Sequence, residues 1–370
     1  MNVIVIGNGI IGASTAYHLA RQGIAVTLID REERGRATDA AAGIVAPWLS
    51  QRRNKPWYAL AKEGAKYYDV LRQMLQEDGI EQIGYAQNGV VRLYEDEKKR
   101  EKIKKLIIKR TEDAPEIGRC DTQNERETLE RFPYLDERFI SLFVTGGARV
   151  DGKQLRSALL EAARRYHLKE LIGDAKLHRK GQEVFVTLNG ERVEGDRIVI
   201  ATGAWAAETF ASIEVPFPVR GQKAQIAHLQ VAEDVSHLPV VMPDGNHYIV
   251  PQDDRIICGA THEDEYTNLN VTAGGVHSIL DKAFTVAPKL EEATLLEVRV
   301  GVRPHTPTYS VVYGTVPSTN NVWTANGLGA SGLTVGPFVG AELARLVLGE
   351  QPVLPKEHYT IESIQEGGIV

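Results

Sequence analysis

The sequence has few cysteines and no long uninterrupted hydrophobic segment. Cys120 and Cys258 are the two cysteines among 370 residues, and they form no C-x-x-C pair. We therefore expect reduced thiols and no metal site. Apolar runs stay shorter than the about 18 residues of a membrane span, and no secretory-type basic segment precedes the first predicted strand. The prediction is a cytoplasmic protein without a transmembrane segment.

The chain also lacks an excess of positive charge. Its net charge is −6, which argues against nucleic acid as a partner. The basic run at 98–110 is flanked by acids, so we interpret it as a solvated amphipathic helix. With 43% apolar and 25% charged residues, the composition is that of a globular protein. A length of 370 residues favours two domains.

Three glycines directly follow the first predicted strand. Residues 3–12, VIVIGNGIIG, place Gly7, Gly9 and Gly12 in the G-x-G-x-x-G spacing, and Ile10 and Ile11 open a helix. Such glycines form a tight turn, let backbone approach a pyrophosphate, and bring the helix close to the sheet. A ligand-free βαβ turn would explain the glycines. It would not explain Asp30, the acid at the end of the second strand, which comes near the about 20-residue spacing of a ribose-binding carboxylate. The segment predicts a dinucleotide but does not distinguish NAD from FAD.

Periodicity along the chain predicts two kinds of domain. Helices are expected at 57–77, 150–168 and from Leu333 to Leu348, and a hairpin turns at Asn189 and Gly190. Strand-like runs dominate 215–300, with one helix near 275–288. We predict α/β plus α+β architecture: a Rossmann-like domain and a domain with a mostly antiparallel sheet. The predicted boundaries assign 1–80, 145–214 and 297–370 to the first domain, and 81–144 and 215–296 to the second.

Two further glycine-rich segments favour a flavin over a nicotinamide. The strand IVIATGAWA ends in a small-residue turn at Ala201, Thr202 and Gly203. The segment NGLGASGLTVGP precedes a helix whose N-terminus would stabilise negative charge, which a reduced flavin develops and a nicotinamide does not. The alternative is a packing loop without a ligand. The residues predicted to contact the cofactor here are Gly327, Gly329, Ala330, Ser331, Gly332, Leu333 and Thr334.

These motifs, with RATDAAAGIVAP, RVDGKQL, HYIVPQDDRIICGAT and GVRPHTP in the same order, resemble the D-amino-acid oxidase family of FAD-dependent oxidoreductases, especially its glycine oxidase and sarcosine oxidase-like branch. The resemblance spans nearly the whole chain. It implies an FAD-binding domain and a substrate-binding domain, with FAD held non-covalently because Cys258 lies inside a strand. It further implies cofactor contacts from Arg31, Arg36, Thr38, Ala41, Ala42, Gly43, Ile44, Ala175 and Arg303.

The resemblance also implies two substrate-binding residues. Arg303, in G-V-R-P, corresponds to the arginine that binds the substrate carboxylate, and Tyr248 corresponds to the active-site tyrosine. A guanidinium can give a carboxylate two parallel hydrogen bonds. Arg299 is the competing candidate, although it could simply pair with Glu297. Ile44 and His262 stand where the glycine oxidase branch commonly has methionines, so both are predicted to line the substrate pocket and the substrate cannot be transferred from the resemblance.

Together these features predict FAD-dependent oxidation of a small amino acid or N-alkyl amino acid, of the glycine, sarcosine or D-amino-acid class. The product is an imine that hydrolyses to a 2-oxo acid, hydride passes to flavin N5, and O₂ is the expected acceptor. One alternative is a D-amino-acid or imino-acid dehydrogenase that passes electrons to a quinone or partner subunit. Another is a flavin-free, NAD-binding regulatory protein. A homo-oligomer is compatible with either enzyme.

Overall fold

The computed structural model describes residues 1–365, which form two large sheets, two small sheets and a set of covering helices. The strands of this part of the chain are β1 (Asn2–Ile6), β2 (Ala25–Asp30), β3 (Ile44–Val45), β4 (Tyr85–Ala86), β5 (Val90–Tyr94), β6 (Cys120–Gln123), β7 (Ile140–Val144), β8 (Ala148–Val150), β9 (Lys169–Ile172), β10 (Ala175–Lys180), β11 (Glu183–Leu188), β12 (Glu191–Val193), β13 (Arg197–Ile200), β14 (Arg220–Gln230), β15 (Val240–Met242), β16 (Tyr248–Gln252), β17 (Arg255–Gly259), β18 (Thr294–His305), β19 (Val312–Thr315) and β20 (Val322–Asn326). The helices are α1 (Ile10–Arg21), α2 (Lys55–Glu77), α3 (Glu97–Thr111), α4 (Glu125–Arg131), α5 (Gly152–Arg165), α6 (Ala206–Ala211), α7 (Ala273–Val286), α8 (Gly332–Leu348) and α9 (Glu362–Gln365).

The first large sheet is six-stranded, in the order β19-β20-β13-β1-β2-β9. All its pairings are parallel except that of β19 with β20. The side chains of β1 alternate between two hydrophobic cores. Val3 and Val5 belong to the core that contains α1, α5 and α8, whereas Ile4 and Ile6 belong to the core that contains β10 and β11. Because both faces are covered, β1 is apolar throughout. This Rossmann-like layer brings the β1–α1 turn to the carboxyl edge of the sheet.

The second large sheet is eight-stranded, in the order β18-β14-β17-β16-β15-β5-β7-β6. Its pairings are antiparallel except for β15 with β5. Ile249 and Ile256 on one face pack in a separate core with Ile279 of α7. Ala224 and Gly301 on the other face line a cavity against the first sheet. The predicted fold class, a Rossmann-like domain with a mostly antiparallel second sheet, is confirmed.

The predicted domain boundary at residue 297 falls inside β18. All of Thr294–His305 pairs with β14, so the start of the third FAD-domain segment belongs to the eight-stranded sheet. The strand continues through Pro304 of the G-V-R-P motif. Here β18 is an edge strand, where a proline is tolerated. We propose a boundary after His305; residues 366–370 of that segment lie outside the described residues.

Several local signals act as the sequence predicts. Asp151 caps α5, accepting a hydrogen bond from the Gln154 amide at 2.9 Å. In the basic helix α3, Ile103 and Ile107 are buried while the lysines stay in solvent. The Asn189 and Gly190 turn has φ values of 53° and 85°, the left-handed pair that a tight hairpin requires. These predicted elements are confirmed.

One segment is more apolar than the sequence analysis expected. Gly329–Leu348 is 20 residues long, with a mean hydropathy of 1.2, which meets the length and hydropathy of a membrane-crossing helix. However, 72% of that window is buried inside the protein, and α8 packs against α1 and α2. The hydrophobicity of α8 is therefore that of a core helix, surrounded by protein on most sides.

Candidate active site

A large cavity lies between the carboxyl edge of the six-stranded sheet and the inner face of the eight-stranded sheet. Its empty volume, including the open mouth, is about 1610 Å³. Because its lining runs from the β1–α1 turn of one sheet to the inner face of the other, the cavity suits a long ligand. The β1–α1 turn and Asp30 lie at one end, and Tyr248 and Arg303 line the wall contributed by the eight-stranded sheet.

The three motif glycines have different physical roles. A Cβ on Gly7, whose φ is +102°, would lie 2.5 Å from the Ala201 carbonyl oxygen, and a Cβ on Gly12 would lie 1.8 Å from the Gly7 oxygen. Packing within the protein therefore requires glycine at positions 7 and 12. By contrast, a Cβ on Gly9 would meet only Thr38 Oγ1, at 3.6 Å. The protein itself leaves room beside Gly9, which is what the close approach of a ligand backbone requires.

The carboxylate of Asp30 is fixed by three donors at the end of β2. It accepts the Asn8 amide at 2.6 Å, the Glu32 amide at 2.7 Å and Arg36 Nη2 at 2.6 Å. The Arg36 guanidinium also reaches Asp39 at 3.1 Å. These three hydrogen bonds hold the Asp30 carboxyl group at the cavity wall, where it can accept hydrogen bonds from sugar hydroxyls.

The segment from Arg36 to Ile44 forms the next part of the wall. Thr38 Oγ1 accepts the Ile10 amide at 2.9 Å, which ties this segment to the first turn of α1. Gly43 has a φ of +71°, and a Cβ there would lie 1.8 Å from the Val150 oxygen. Thr334 Oγ1 donates to the Ile44 oxygen at 2.9 Å, which joins the segment to α8. The wall is thus built from backbone and small side chains.

The N-terminus of α8 also opens on the cavity. Gly332, Leu333 and Thr334 line it, and no side chain caps the helix. The unbonded amides of a first helical turn carry partial positive charge. A Cβ on Gly332 would meet nothing within 4 Å. The helix therefore presents an anion-stabilising end to open space.

Arg303 and Tyr248 converge on the opposite wall. Strand register pairs Tyr248 with Gly259 and Gly259 with Ile226 on β14, while Arg303 extends from the neighbouring β18. The Arg303 guanidinium faces the Tyr248 hydroxyl, and its Nη1 atom is buried without a hydrogen-bond partner in residues 1–365. A buried charge of this kind costs free energy unless an anion pairs with it. The geometry favours a carboxylate ligand at Arg303.

Arg299 has a different environment. Its Nη2 donates to the Glu297 carboxylate at 2.6 Å, and its Nη1 donates to the backbone carbonyl oxygen of Asp39 at 3.4 Å. Arg303, on the same face of β18, has no carboxylate within 4.0 Å in the described chain. Arg299 is therefore already neutralised within the protein, whereas Arg303 is not.

Burial controls the protonation of the groups around Arg303. It raises the pKa of Tyr248 to about 12, against the lowering effect of the Arg303 charge. Burial first, and the Arg303 charge second, lower the pKa values of His262 and His305. At neutral pH the phenol is therefore protonated and can donate, and both imidazoles are neutral.

Most of the predicted site residues line the cavity together. They are Gly7, Gly9, Ile10, Ile11, Asp30, Arg31, Arg36, Thr38, Ala41, Ala42, Gly43, Ile44, Ala175, Ala201, Thr202, Gly203, Tyr248, Arg303, Gly329, Ala330, Gly332, Leu333 and Thr334.

Four predicted residues are not part of that lining. Gly12 packs against Gly7, and Gly327 has a φ of +78° in a turn where a Cβ would lie 2.4 Å from the Ser310 oxygen. Ser331 Oγ accepts the Trp57 ring N–H at 3.1 Å and points away. His262 is exposed at the mouth. After β17, the side chains of Thr261 and Glu263 point toward Gln225. Because successive side chains of an extended chain alternate in direction, the His262 side chain points to the opposite side, which is the cavity face.

The sequence analysis missed several lining residues. Gly301, Ala224 and Trp205 are among them, as are Asn8, Glu33, Ala37, Ala40, Gly173, Asp174 and Leu328. The period of two along β18 could have found Gly301, because it shares a face with Arg303. No local sequence pattern identifies Ala224 or Trp205 as cavity residues, because strand pairing and a crossover connection bring them to the cavity.

The residues present fit FAD. The free space beside Gly9 would accommodate a pyrophosphate, the α8 N-terminus would stabilise negative charge on a flavin edge, and the unpaired Arg303 atom would bind a substrate carboxylate. Neither free cysteine lines the cavity, so no thiol is placed to attach the flavin covalently.

Comparisons with known proteins agree with this geometry. An oxidoreductase of Bacillus subtilis (strain 168) described as uncharacterized, YurR, is 47% identical over 361 residues, covering 96% of this chain and 97% of that protein. A glycine oxidase of Pseudomonas aeruginosa is 28% identical, covering 96% of this chain and 97% of that protein. The crystal structure of iminodiacetate oxidase from Chelativorans sp. BNC1 superposes with a TM-score of 0.94 at 38% identity, covering 97% of this chain and 98% of that one.

The family described as FAD dependent oxidoreductase, DAO, matches residues 2–346. The prediction of an FAD enzyme with a glycine oxidase-like relationship is confirmed, and FAD is favoured over NAD. The chain belongs to the DAO family of FAD-dependent oxidoreductases.

Proposed function

We propose that this protein oxidises a small amino acid or N-alkyl amino acid at its Cα–N bond, with Arg303 binding the carboxylate. The observation that carries the proposal is the buried, unpartnered Nη1 atom of Arg303 beside the Tyr248 hydroxyl. The substrates named for a relative and a structural neighbour, glycine and iminodiacetate, are both amines with a carboxylate one carbon away. The substrate class is therefore a primary or secondary amine on a carbon that bears a carboxylate.

Arg303 and Tyr248 supply orientation. A guanidinium binds both oxygens of a carboxylate, and the neutral phenol of Tyr248 donates a further hydrogen bond. Fixing the carboxylate fixes the α-carbon, and such positioning can supply about 7–11 kcal/mol of a barrier. FAD, when bound, would supply the two-electron acceptor for the hydride that leaves the α-carbon.

The charges around the site favour a neutral amine. Arg303 is positive, and the lowered pKa values of the neighbouring His262 and His305 make them weak proton acceptors for a bound ammonium. A substrate ammonium would be repelled by Arg303 near the cavity wall. The amine therefore binds unprotonated, its lone pair assists loss of hydride, and no side-chain base is required.

The positive end of α8 completes the electrostatics. Its first residues lie along the cavity wall, where they stabilise negative charge that develops during the reaction. This effect needs no moving group, because the helix is packed on α1 and α2 before any substrate arrives.

Anaerobic spectroscopy tests the proposal. Purified protein with bound FAD is mixed without oxygen with glycine, sarcosine, D-alanine or iminodiacetate, and the visible flavin absorbance is followed. We expect bleaching by at least one of them. If none bleaches the flavin while dithionite does, the proposed substrate class is wrong.

The same sample identifies the acceptor. Admitting air should restore the colour rapidly if O₂ is the acceptor, which we propose. Slow recovery in air and fast recovery with a soluble quinone would favour the dehydrogenase alternative.

A further inference from the structure

His305 lies next to the Arg303 site, two residues along β18. Alternation along the strand places both side chains on the same face of the sheet. The His305 ring covers the Gly329–Ser331 turn, since a Cβ on Gly329 would lie 2.6 Å from His305 Cε1. The ring meets Tyr309 edge-on at 5.2 Å. Its Nε2 atom is buried and has no hydrogen-bond partner within residues 1–365.

Arg52 is connected to the same turn through Trp57. Its guanidinium stacks on the Trp57 ring at 4.8 Å, and the Trp57 ring N–H donates to Ser331 Oγ at 3.1 Å. Within the described chain, Arg52 has no carboxylate at ion-pair distance. The charges of Arg303 and Arg52 both act on the His305 ring, adding to the effect of burial in lowering its pKa.

The side-chain charges that act on the His305 ring are mostly positive. They come from Arg303 and Arg52, and Asp264 opposes them. Asp264 is exposed and accepts a hydrogen bond from Gln222 at 3.5 Å, not from either guanidinium. One substrate carboxylate would pair with Arg303 and leave Arg52 and the His305 nitrogen without partners. Arg52 is exposed, so water partly solvates its charge, but His305 Nε2 is buried without an acceptor in the described chain, and a second anion could pair with both groups.

We propose that Arg52 and His305 form a second anion-binding subsite, and that the preferred substrate is an amino acid with two carboxylates. This inference rests on the proposed function, in which Arg303 holds the first carboxylate. His305 Nε2–H donates to the second carboxylate, and Arg52 supplies the opposite charge. The second carboxylate can be carried on the nitrogen substituent or on the side chain, and both sources present the same chemistry to the subsite.

Matched substrate pairs test the subsite. Iminodiacetate differs from sarcosine by one carboxylate in place of a hydrogen, and D-aspartate differs in the same way from D-alanine. We expect kcat/KM to favour the dicarboxylate by about tenfold or more in at least one pair, which is the effect of one charge-assisted contact. The pair that shows the preference identifies whether the second carboxylate is on the nitrogen or on the side chain.

Variants assign the preference to residues. Arg52→Met should reduce the dicarboxylate preference to within about threefold of unity without slowing the monocarboxylate. Arg52→Lys should restore part of it. His305→Phe should lower the preference, and His305→Gln, which keeps a donor, should retain some. Arg53→Met, at the exposed neighbouring position, is the matched control and should behave as wild type.

Binding of unreactive acids gives a second readout. Succinate and propionate also differ by one carboxylate, and each is titrated against the FAD-loaded protein while the visible spectrum is recorded. Tighter binding of succinate in wild type, lost in Arg52→Met, supports the subsite even if no amino acid is turned over. Equal binding of the two acids, or equal loss of both in Arg52→Met, overturns it. Turnover of sarcosine or D-alanine without any dicarboxylate preference overturns the subsite and leaves the proposed function intact.

Discussion

The Tyr248 hydroxyl lies directly over Gly259, at the place where a side chain would begin. A Cβ on Gly259 would lie 2.7 Å from the hydroxyl oxygen and 2.8 Å from Ile226 Cγ2. These separations are shorter than van der Waals contact, so the glycine keeps the phenol beside Arg303. Because Gly259 is remote from the β1–α1 turn, this relationship concerns the substrate side of the cavity.

Gly259→Ala should therefore displace Tyr248 and slow the enzyme without removing FAD. We expect a kcat/KM loss close to that of Tyr248→Phe, about tenfold for one hydrogen bond to a charged group. The measurement is kcat/KM and flavin content for both variants. Gly274→Ala is the control, because a Cβ on that exposed residue of α7 would meet nothing within 4 Å. A Gly259→Ala enzyme as fast as wild type would contradict the role of Gly259.

Substitution of Gly9 tests the cofactor site, because a side chain at this position would not clash with the protein itself. Its φ of −84° and ψ of −173° are allowed for any residue, and a Cβ would touch only Thr38 Oγ1 at 3.6 Å. We expect Gly9→Ala to fold and to weaken FAD binding, and Gly9→Val to be purified colourless. The measurements are flavin per protein and the circular dichroism spectrum. Stoichiometric yellow Gly9→Val would show that the pyrophosphate lies elsewhere.

Stability should fall in mild acid because of buried histidines. His228 is fully buried, neither ring nitrogen has a partner in the described chain, and burial, with the Arg299 charge next, lowers its pKa to about 4. Arg255 adds to the lowering, and Glu297 opposes it. An unfolded histidine titrates near about 6.5. Between pH 6.5 and 4 the unfolded state thus binds more protons, so the free energy of unfolding decreases as the pH falls.

His228→Leu removes this proton-binding difference. We expect the drop in Tm between pH 7 and pH 5 to be smaller in His228→Leu than in wild type. Part of the drop should remain, because burial also lowers the pKa of His18 to about 4. His277→Gln, at an exposed site on α7, should keep the full drop. An identical pH dependence in wild type and His228→Leu would refute the assignment.

The sequence predicted those parts of the site that short motifs determine. The turn at Gly7, Gly9 and Gly12 and the acid at Asp30 follow from local backbone requirements, so spacing was sufficient. Arg303 and Tyr248 came from the family resemblance, and their meeting on paired strands needed long-range register that no local pattern shows. His305 and Arg52 were missed for the same reason: the Gly329–Ser331 turn brings them together from distant segments.

The fold was predicted less well where a local rule conflicted with tertiary context. The predicted boundary at residue 297 lies inside β18, because the pairing of the whole strand with β14 is long-range and no local pattern shows it. Glycines, Glu342 and Arg345 interrupt the apolar residues of α8, so the sequence shows no continuous apolar run there. A cytoplasmic location stays a prediction, as does the oligomeric state.

The central claim is that Arg303 binds the substrate carboxylate. A charge-assisted hydrogen bond contributes about 1.5–3 kcal/mol, so Arg303→Met should lower kcat/KM for the best amino acid about 10- to 200-fold. Arg303→Lys should recover part of the loss, because an ammonium lacks the two-pronged geometry. Arg299→Met is the matched control on the same strand. It removes an ion pair with Glu297 and should lower Tm while keeping kcat/KM.

The most direct measurement is kcat/KM of Arg303→Met with its FAD content and Tm measured on the same sample. The account predicts a folded, fully flavin-loaded protein whose kcat/KM has fallen by at least about tenfold, while Arg299→Met stays near wild type. A folded, yellow Arg303→Met enzyme within about threefold of wild type would contradict it.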